Sequence, residues 1–199
     1  MILALVLILL GAKKLPGLLP GNASDEAEKR FRVLCDGLVL WVAQGFGVGR
    51  IPFAPGTFGS VIGLLWFALL LKAENFWVYL IGTLVGLWLS VWLCGAAEKI
   101  LKQTDPGSVV LDEIAAVPIC FLASVATDWF CSNQLPAPES FTARTWVTTA
   151  ILFVFFRLFD ILKPWPVRQS QRLPGGWGVT IDDVLAAAYV ALISLPFVR

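Results

Sequence analysis

The chain has 199 residues, 58% of them hydrophobic, and a mean hydropathy of +0.79, whereas a soluble domain is about 45–50% apolar. Several apolar runs reach or approach the length needed to cross a bilayer, so the sequence predicts a polytopic membrane protein. The net charge of +1 gives no reason to expect a nucleic-acid partner, and the absence of histidine excludes mechanisms that need an imidazole. Four cysteines without CxxC spacing predict neither a disulfide framework nor a zinc site.

The N-terminal part differs in composition from the rest of the chain. Residues 1–12 are apolar, but they lack the preceding positive charge of a signal peptide and the length of a span. Residues 13–36 are polar and predict a linker that runs into an amphipathic helix, and residues 37–49 form a short apolar helix candidate. We therefore divide the chain into an N-terminal extension, residues 1–36, and a membrane domain, residues 37–199.

Residues 50–60 contain two prolines and two glycines, which exclude a continuous helix. Irregular backbone at membrane depth is tolerated where protein or a wet cavity satisfies it. One interpretation is an anion cradle, in which exposed N–H groups near Gly56 and the Thr57 hydroxyl bind a phosphate at the start of the next helix. The alternative is an ordinary Thr-capped turn between two helices.

Alternating apolar runs and breaks predict the remaining elements. The predicted helices are a short one at residues 60–71 and spans at residues 76–97, 109–126, 145–162 and 180–198, with a turn at 72–75 and a polar loop at 127–144. Pro106 and Ser108 are suitable residues for a helix start. Asp112 and Glu113 lie in the first turns of their span, where the helix dipole favours acids. Two adjacent acids in an apolar helix exceed that need and predict a functional role.

Arg157, Asp160 and Lys163 recur every third residue and so share one stripe of a helix. Two prolines end that helix, and a glycine-rich connection leads to a pair of aspartates in the last span. Charged groups at the mouth of a membrane bundle indicate a site. The alternative is an Arg–Asp pair that locks two helices, with Thr180 and Asp183 forming a capping box.

Threading the chain through a membrane places the Arg50 loop, residues 99–113 and residues 157–183 on one face. That face holds most of the basic residues, namely Arg50, Lys99, Lys102, Arg157, Lys163, Arg168 and Arg172, against Lys72, Arg144 and Arg199 on the other. The positive-inside rule makes the charge-rich face cytoplasmic. Five carboxylates, several cations and two glycine-rich loops are thus predicted to converge at one interface.

Oxygen ligands without histidine or paired cysteines suit a hard cation, most often Mg²⁺, and cations beside such a metal suit a phosphate. The predicted metal ligands are Asp112, Glu113, Asp160, Asp182 and Asp183. The predicted catalytic residues are Asp160, Asp112, Glu113 and Asp183. The predicted phosphate-binding residues are Arg157, Lys163, Arg168, Gly56 and Thr57. Composition and missing signatures exclude histidine-dependent and C-x₅-R phosphatases. Metal-assisted phosphoryl chemistry remains, by an activated water or by attack of a carboxylate.

Three blocks of the sequence resemble the phosphatidylglycerophosphatase A family from about Gly37 to the C-terminus. The blocks are Gly47-x-Gly49-x-x-Pro52-x-Ala54-Pro55-Gly56-Thr57-x-Gly59-Ser60; Asp105-Pro106 with Val110-x-Asp112-Glu113; and Phe156-Arg157-x-Phe159-Asp160-x-x-Lys163-Pro164-x-Pro166 with Gly175-Gly176-x-Gly178 and Asp182-Asp183. The resemblance implies an all-α membrane bundle in which the other helices enclose one helix. It also implies Mg²⁺-dependent hydrolysis of phosphatidylglycerophosphate to phosphatidylglycerol and phosphate.

We therefore expect a multi-pass phosphoric monoester hydrolase of the bacterial inner membrane, with a phospholipid substrate and a cytoplasmic active site. Two alternatives stay open. One is a phosphatase of another membrane lipid phosphate, such as a polyprenyl phosphate. The other is a non-enzymatic ion transporter that uses the buried charges, although the inverted repeat or paired broken helices typical of such proteins are not found in the sequence.

Overall fold

A computed structural model of the chain describes residues 22–135 and 143–197, and all the regular secondary structure in this part is helical, without strands. The α-helices are α1 Asn22–Ala43, α2 Pro55–Leu71, α3 Phe76–Leu101, α4 Leu111–Cys120, α5 Leu122–Ser132, α6 Ala143–Leu162, α7 Val167–Ser170 and α8 Gly176–Ser194, with 3₁₀-helices at Gly45–Arg50 and Leu195–Phe197. The predicted all-α fold class is confirmed.

Three segments of the described chain are long and apolar enough to cross a membrane: Phe76–Leu101, Leu111–Ser132 and Gly176–Ser194. The first and last are α3 and α8, and the second joins α4 to α5. Helix α2 is apolar but shorter, with 17 residues. The predicted polytopic membrane protein is confirmed, while the predicted span at residues 145–162, now α6, is not among these three segments.

Helix α4 lies inside the bundle, in contact with α2, α3, α6 and α8. Seven of its ten residues are buried, including Ala115 and Ala116. On the facing side of α2, a Cβ added to Gly63 would lie 2.6 Å from a Val117 methyl carbon, so the absence of a side chain lets the two helices approach closely. Small residues at helix contacts are the usual means of packing in lipid, where apolar burial alone gives little driving force. The enclosed helix implied by the resemblance is therefore present.

Pro118 explains why the Leu111–Ser132 segment is two helices. A proline within a helix lacks an N–H and clashes with the preceding turn, so it bends or interrupts the helix. The interruption falls at Phe121, whose N–H donates to the Pro118 carbonyl at 3.1 Å. The Tyr79 hydroxyl, fully buried on α3, donates to the same carbonyl at 2.6 Å, so the backbone oxygen at the interruption has a second partner inside the bundle.

The prediction of a separate helix at residues 37–49 was wrong. One helix, α1, passes through Gly37 and ends at Ala43. Cys35, Val39 and Ala43 are buried at a spacing of four residues, so one face of α1 packs against α3. The proposed domain boundary after residue 36 falls within this helix, and the division into extension and membrane domain stays a prediction.

Other predicted helix boundaries also differ from those in the structure. The fourth helix begins at Leu111 and not at Pro106 or Ser108, and α8 begins at Gly176, four residues before its predicted start. Helix α5 continues to Ser132, so the predicted loop at 127–144 is shorter than expected, and its residues 136–142 lie outside the described part. Close packing accompanies the early start of α8, because a Cβ added to Gly176 would overlap the α3 backbone at Val91 and would lie 2.7 Å from the Gly95 nitrogen.

Candidate active site

Three helices contribute to one hydrogen-bonded polar cluster, formed by Ser60 of α2, Glu113 of α4, and Arg157 and Asp160 of α6. Arg157 Nη1 lies 2.8 Å from Asp160 Oδ2 and 3.2 Å from Glu113 Oε1, and it donates to Ser60 Oγ at 3.3 Å. The Ser60 hydroxyl, which is fully buried, lies 3.2 Å from Glu113 Oε2 and 2.9 Å from the Gly56 carbonyl. The cluster therefore fixes the guanidinium between two carboxylates at one end of the bundle.

The first turn of α2 can approach this cluster because Gly56 has no side chain. A Cβ at that position would overlap the Glu113 carboxylate and would lie 2.9 Å from Arg157 Nη2. The α2 backbone begins with Ala54 in the left-handed region, at φ 45°, and no side chain caps the helix. The alternative of a Thr-capped turn was therefore wrong: Thr57 is already the third helical residue, and its N–H donates to the Ala54 carbonyl at 3.0 Å.

A second polar group joins the end of α6 to α8. Lys163 follows α6 in the left-handed region, at φ 44°, and its Nζ lies 2.6 Å from Asp182 Oδ2. Gln171 Nε2 donates to the same oxygen at 3.1 Å and also reaches Asp105 Oδ2 at 3.4 Å. Burial disfavours the charged form of Lys163, but the hydrogen bond to Asp182 and the negative charges of Asp182, Asp160 and Asp105 outweigh burial and raise the pKa of Lys163.

Asp112 and Asp183 complete the acidic set, and both are buried, with 5% and 3% of their surface exposed. Within the described chain, Asp112 Oδ1 is buried and has no hydrogen-bond partner. The Asp183 carboxyl lies in the electrostatic field of Asp112, Asp160 and Glu113. The structure thus gathers the five predicted acids at one end of the bundle, as the charge-rich face of the sequence predicted.

The predicted phosphate-binding residues do not all occupy the same region. Arg157 lies in the polar cluster and Gly56 packs directly against it, whereas Lys163 is engaged by Asp182. Thr57 is half-buried on the first turn of α2, and Arg168 is exposed on the four-residue helix α7. The assignment of all five as phosphate ligands stays a prediction.

The structure does not contain the two purely structural arrangements considered above, the Arg–Asp pair between two helices and the Thr180–Asp183 capping box. Arg157 and Asp160 belong to the same helix, so their pair cannot lock two helices; the link between helices runs from Arg157 to Glu113. The capping box proposed for Thr180 and Asp183 was wrong, because α8 begins at Gly176 and the Thr180 hydroxyl pairs with that of Ser90 at 3.1 Å.

Sequence reasoning missed Ser60 and Gln171 as members of the polar groups. Ser60 had a detectable signal, since it lies one turn after Gly56 in the glycine-rich block and shares its helix face. Gln171 had none: it lies in an irregular connection, and only the fold brings it to Asp182. Asp105 was quoted in the motif, but its link to Gln171 could not be predicted from spacing.

No three acidic or cysteine side chains among the described residues form a ready-made group that could hold a metal ion. The donor chemistry nevertheless suits a hard cation. Five carboxylates accompany only two cations, Arg157 and Lys163, which leaves a formal excess of three negative charges. Mg²⁺ usually keeps several waters and uses one or two carboxylates together with substrate phosphate, so it does not require a preformed cage of three carboxylates.

Ionisable groups buried at one end of an all-helical bundle with helices long enough to cross a membrane are typical of an integral membrane enzyme. The family described as Phosphatidylglycerophosphatase A matches residues 41–198. The chain belongs to the phosphatidylglycerophosphatase A family, and it is a phosphoric monoester hydrolase.

Individual relatives cover most of the chain. The phosphatidylglycerophosphatase A of Haemophilus influenzae is 36% identical over 153 residues, which is 76% of this chain and 83% of the relative. That of Escherichia coli is 33% identical over 152 residues, or 75% and 77%. A Bacteroides thetaiotaomicron protein named putative phosphatidylinositol-3-phosphatase is 34% identical over 157 residues, or 76% and 88%. No solved structure matches the chain.

Proposed function

We propose that the chain hydrolyses phosphatidylglycerophosphate to phosphatidylglycerol and phosphate, with Mg²⁺, at the cytoplasmic face of a bacterial inner membrane. The observation on which the proposal depends is the polar cluster, in which one partly buried guanidinium meets two carboxylates and a serine hydroxyl from three helices. Such a cluster is costly in a membrane bundle, and charges of both signs held together suit recognition of a phosphate monoester.

Arg157 is the proposed ligand of the phosphate. Its Nη1 is shared by Glu113, Asp160 and Ser60, and these three contacts hold that nitrogen in place. Its Nε is buried and has no hydrogen-bond partner among the described residues. A fixed guanidinium with an unused buried donor is suited to a phosphate oxygen, since an unpaired buried donor is costly until a ligand satisfies it.

The carboxylates are the proposed ligands of Mg²⁺, with Asp112, Glu113, Asp160, Asp182 and Asp183 as the candidate set. Asp112 supports this role most directly, because its Oδ1 is buried without a partner. The formal negative excess of the set supports it further, since a divalent cation would neutralise most of it. Mg²⁺ held by these carboxylates would neutralise charge on the phosphate oxygens and would help to activate a water.

The remaining chemistry belongs to side chains of the cluster. Asp160 is held at 2.8 Å from Arg157, beside the proposed phosphate position. In that position an aspartate acts either as the nucleophile on phosphorus or as a ligand that orients the attacking water, and the two routes share the same residues. Asp112, Glu113 and Asp183 are the other candidates for a general base.

Two substrates are consistent with the family, and both are phosphate monoesters on a lipid headgroup. Two relatives are named for phosphatidylglycerophosphate, and a third is named, as putative, for phosphatidylinositol 3-phosphate. We favour the first because it is the description shared by the family match and by two relatives. The inner-membrane assignment follows the basic residues of the charge-rich face, which the positive-inside rule places in the cytoplasm.

A substrate panel tests this proposal. The purified full chain in detergent, with Mg²⁺ present, is given phosphatidylglycerophosphate, phosphatidylinositol 3-phosphate, a polyprenyl phosphate and glycerol 3-phosphate, and released phosphate is measured. We expect the highest kcat/KM on phosphatidylglycerophosphate and its loss in an Arg157→Lys variant, since lysine lacks the planar fork. Preference for either of the other lipids would replace the proposed substrate, and no release from any lipid would refute the activity.

A further inference from the structure

A groove outside the polar cluster runs along an exposed side of α3. The groove has a volume of about 820 Å³, and α1, α3 and the connection before α8 line it. Trp88, Trp92, Ala96 and Lys99 lie on the α3 side at intervals of three or four residues, so they share one face of that helix. The α3 wall is thus apolar along most of its length and basic at its end, while Arg32 and Asp36 of α1 line the opposite wall.

The length of the groove fits one leaflet of a bilayer. At 1.5 Å per residue, Trp88 and Lys99 are separated by about 16 Å along the axis of α3. Half of a hydrocarbon core of about 30 Å is about 15 Å. An acyl chain laid against Trp88 and Trp92 would therefore end near the bilayer middle when its headgroup lies at Lys99. Trp177 of α8, which is 53% exposed and lines the same groove, provides a further aromatic surface.

The basic end of the groove opens into a second cavity of about 480 Å³, and Gly95, Lys99, Pro174 and Gly175 line both spaces. Lys99, Lys102 and Arg172 are the cations of this second cavity. None of the three forms an ion pair with a residue that the structure describes.

The acids of this cavity are already engaged. Glu98 accepts a hydrogen bond from the Asp105 backbone at 2.9 Å, and Asp105 accepts one from Gln171 at 3.4 Å. Three cations against two acids leave the cavity a formal excess of one positive charge, and no acid that the structure describes forms an ion pair with those cations, next to an apolar groove of leaflet length. That combination matches a lipid with a negatively charged phosphate headgroup better than a zwitterionic lipid.

We propose that this groove and the adjoining basic cavity form a binding site for an anionic phospholipid of the surrounding bilayer, with an acyl chain on the Trp88 and Trp92 face and the phosphate on Lys99, Lys102 and Arg172. The site is separate from the polar cluster, and the inference does not depend on which substrate the enzyme hydrolyses. It adds a second lipid contact, on α1 and α3, to a protein whose proposed chemistry lies among α2, α4, α6 and the Asp182–Asp183 pair of α8.

Native mass spectrometry of the full chain tests this site without turnover. The protein in neutral detergent is titrated with phosphatidylglycerol, with phosphatidylcholine of the same acyl chains, or with glycerol 3-phosphate. We expect phosphatidylglycerol to bind most tightly. Replacement of Lys99, Lys102 or Arg172 by Gln should each weaken binding about fivefold, the equivalent of about 1 kcal/mol per basic residue at a membrane surface. Lys72 is an exposed cation directly after the last residue of α2 and lies outside both cavities, so Lys72→Gln should not change lipid binding.

Two further variants separate the groove from the polar cluster. Ala96→Phe should fill the groove and weaken binding of phosphatidylglycerol, whereas Val85→Phe, on an exposed part of α3 outside the groove, should not. Arg157→Ala should leave the binding unchanged. Equal affinity for phosphatidylcholine, or for glycerol 3-phosphate, would overturn the proposal. So would binding that Arg157→Ala abolishes and the three Gln variants leave intact, because the lipid would then occupy the polar cluster.

Discussion

Replacing Asp160 by Asn separates a catalytic role from a structural one. The Asp160 side chain is 13% exposed, and its Oδ2 lies 2.8 Å from Arg157 Nη1. Breaking a buried ion pair commonly costs about 3–5 kcal/mol, because the surviving charge is left uncompensated. Here Arg157 keeps Glu113 at 3.2 Å, and Asn still offers an oxygen acceptor. Removing one negative charge also relieves repulsion on Asp183.

The expected loss of stability is therefore about 1 kcal/mol, the net value of one hydrogen bond. For a chain of this size that corresponds to a decrease of about 2–4 °C in Tm. The expected loss of turnover is much larger, about 10²–10³-fold, as for other groups that stabilise charge in a transition state. Asp160→Asn is thus predicted to reduce turnover strongly while it reduces the free energy of unfolding only slightly.

Both quantities are measured on the same sample of Asp160→Asn, as thermal unfolding and as phosphate release. Asp128→Asn is the matched control, because Asp128 is an acid of α5 outside the polar groups, and it should leave turnover unchanged. A large fall in Tm with near-normal turnover of the folded fraction would refute the reasoning. Asp160 would then be a structural partner of Arg157 only.

Three further predictions concern the surroundings of the site and the membrane topology. Gly56→Ala should reduce turnover about 10²-fold by displacing the polar cluster. In the control Gly37→Ala the added Cβ would have no neighbouring atom within 4 Å, so turnover should not change. Equal effects of the two substitutions on turnover would contradict this packing argument. Lys163→Ala should lower stability by about 3–5 kcal/mol, because Asp182 is only 4% exposed, and chemical denaturation should show this loss. Since the pKa of Lys163 is raised above 10.5, its stabilisation is fully present below pH 10.5 and should disappear only as the pH rises through the raised value. The exposed native thiol of Cys131 should react with an impermeant maleimide added to intact cells, and labelling only after lysis would reverse the assigned topology.

Periodicity and composition predicted those parts of the site that depend on one helix. The three-residue spacing of Arg157 and Asp160 placed them on one stripe, and the structure joins them directly. The proline and glycine content of residues 50–60 predicted an irregular entry to α2, and the chain is irregular at residues 51–54 before Pro55 starts the helix. These features are local, so the sequence alone determines them.

Features that depend on contacts between helices could not be predicted in this way. Lys163 belongs to the predicted stripe, but its left-handed backbone turns it toward Asp182, away from the Arg157 contacts. The start of α8 at Gly176 depends on close packing against α3, and spacing gives no sign of it. The continuation of α1 through Gly37 depends on burial of Cys35 and Val39 against α3, which outweighs the low helix propensity of glycine.

The central claim is that buried carboxylates and Arg157 perform metal-assisted hydrolysis of a lipid phosphate. The most direct measurement is phosphate release from phosphatidylglycerophosphate by the purified full chain, first in excess chelator and then with Mg²⁺ restored. We predict no measurable release in chelator and recovery with Mg²⁺ in the unmodified chain, but no recovery in Asp112→Asn, whose unpartnered oxygen is lost as an anionic ligand. Full release in chelator, or full recovery in Asp112→Asn, would contradict the proposed role of these carboxylates.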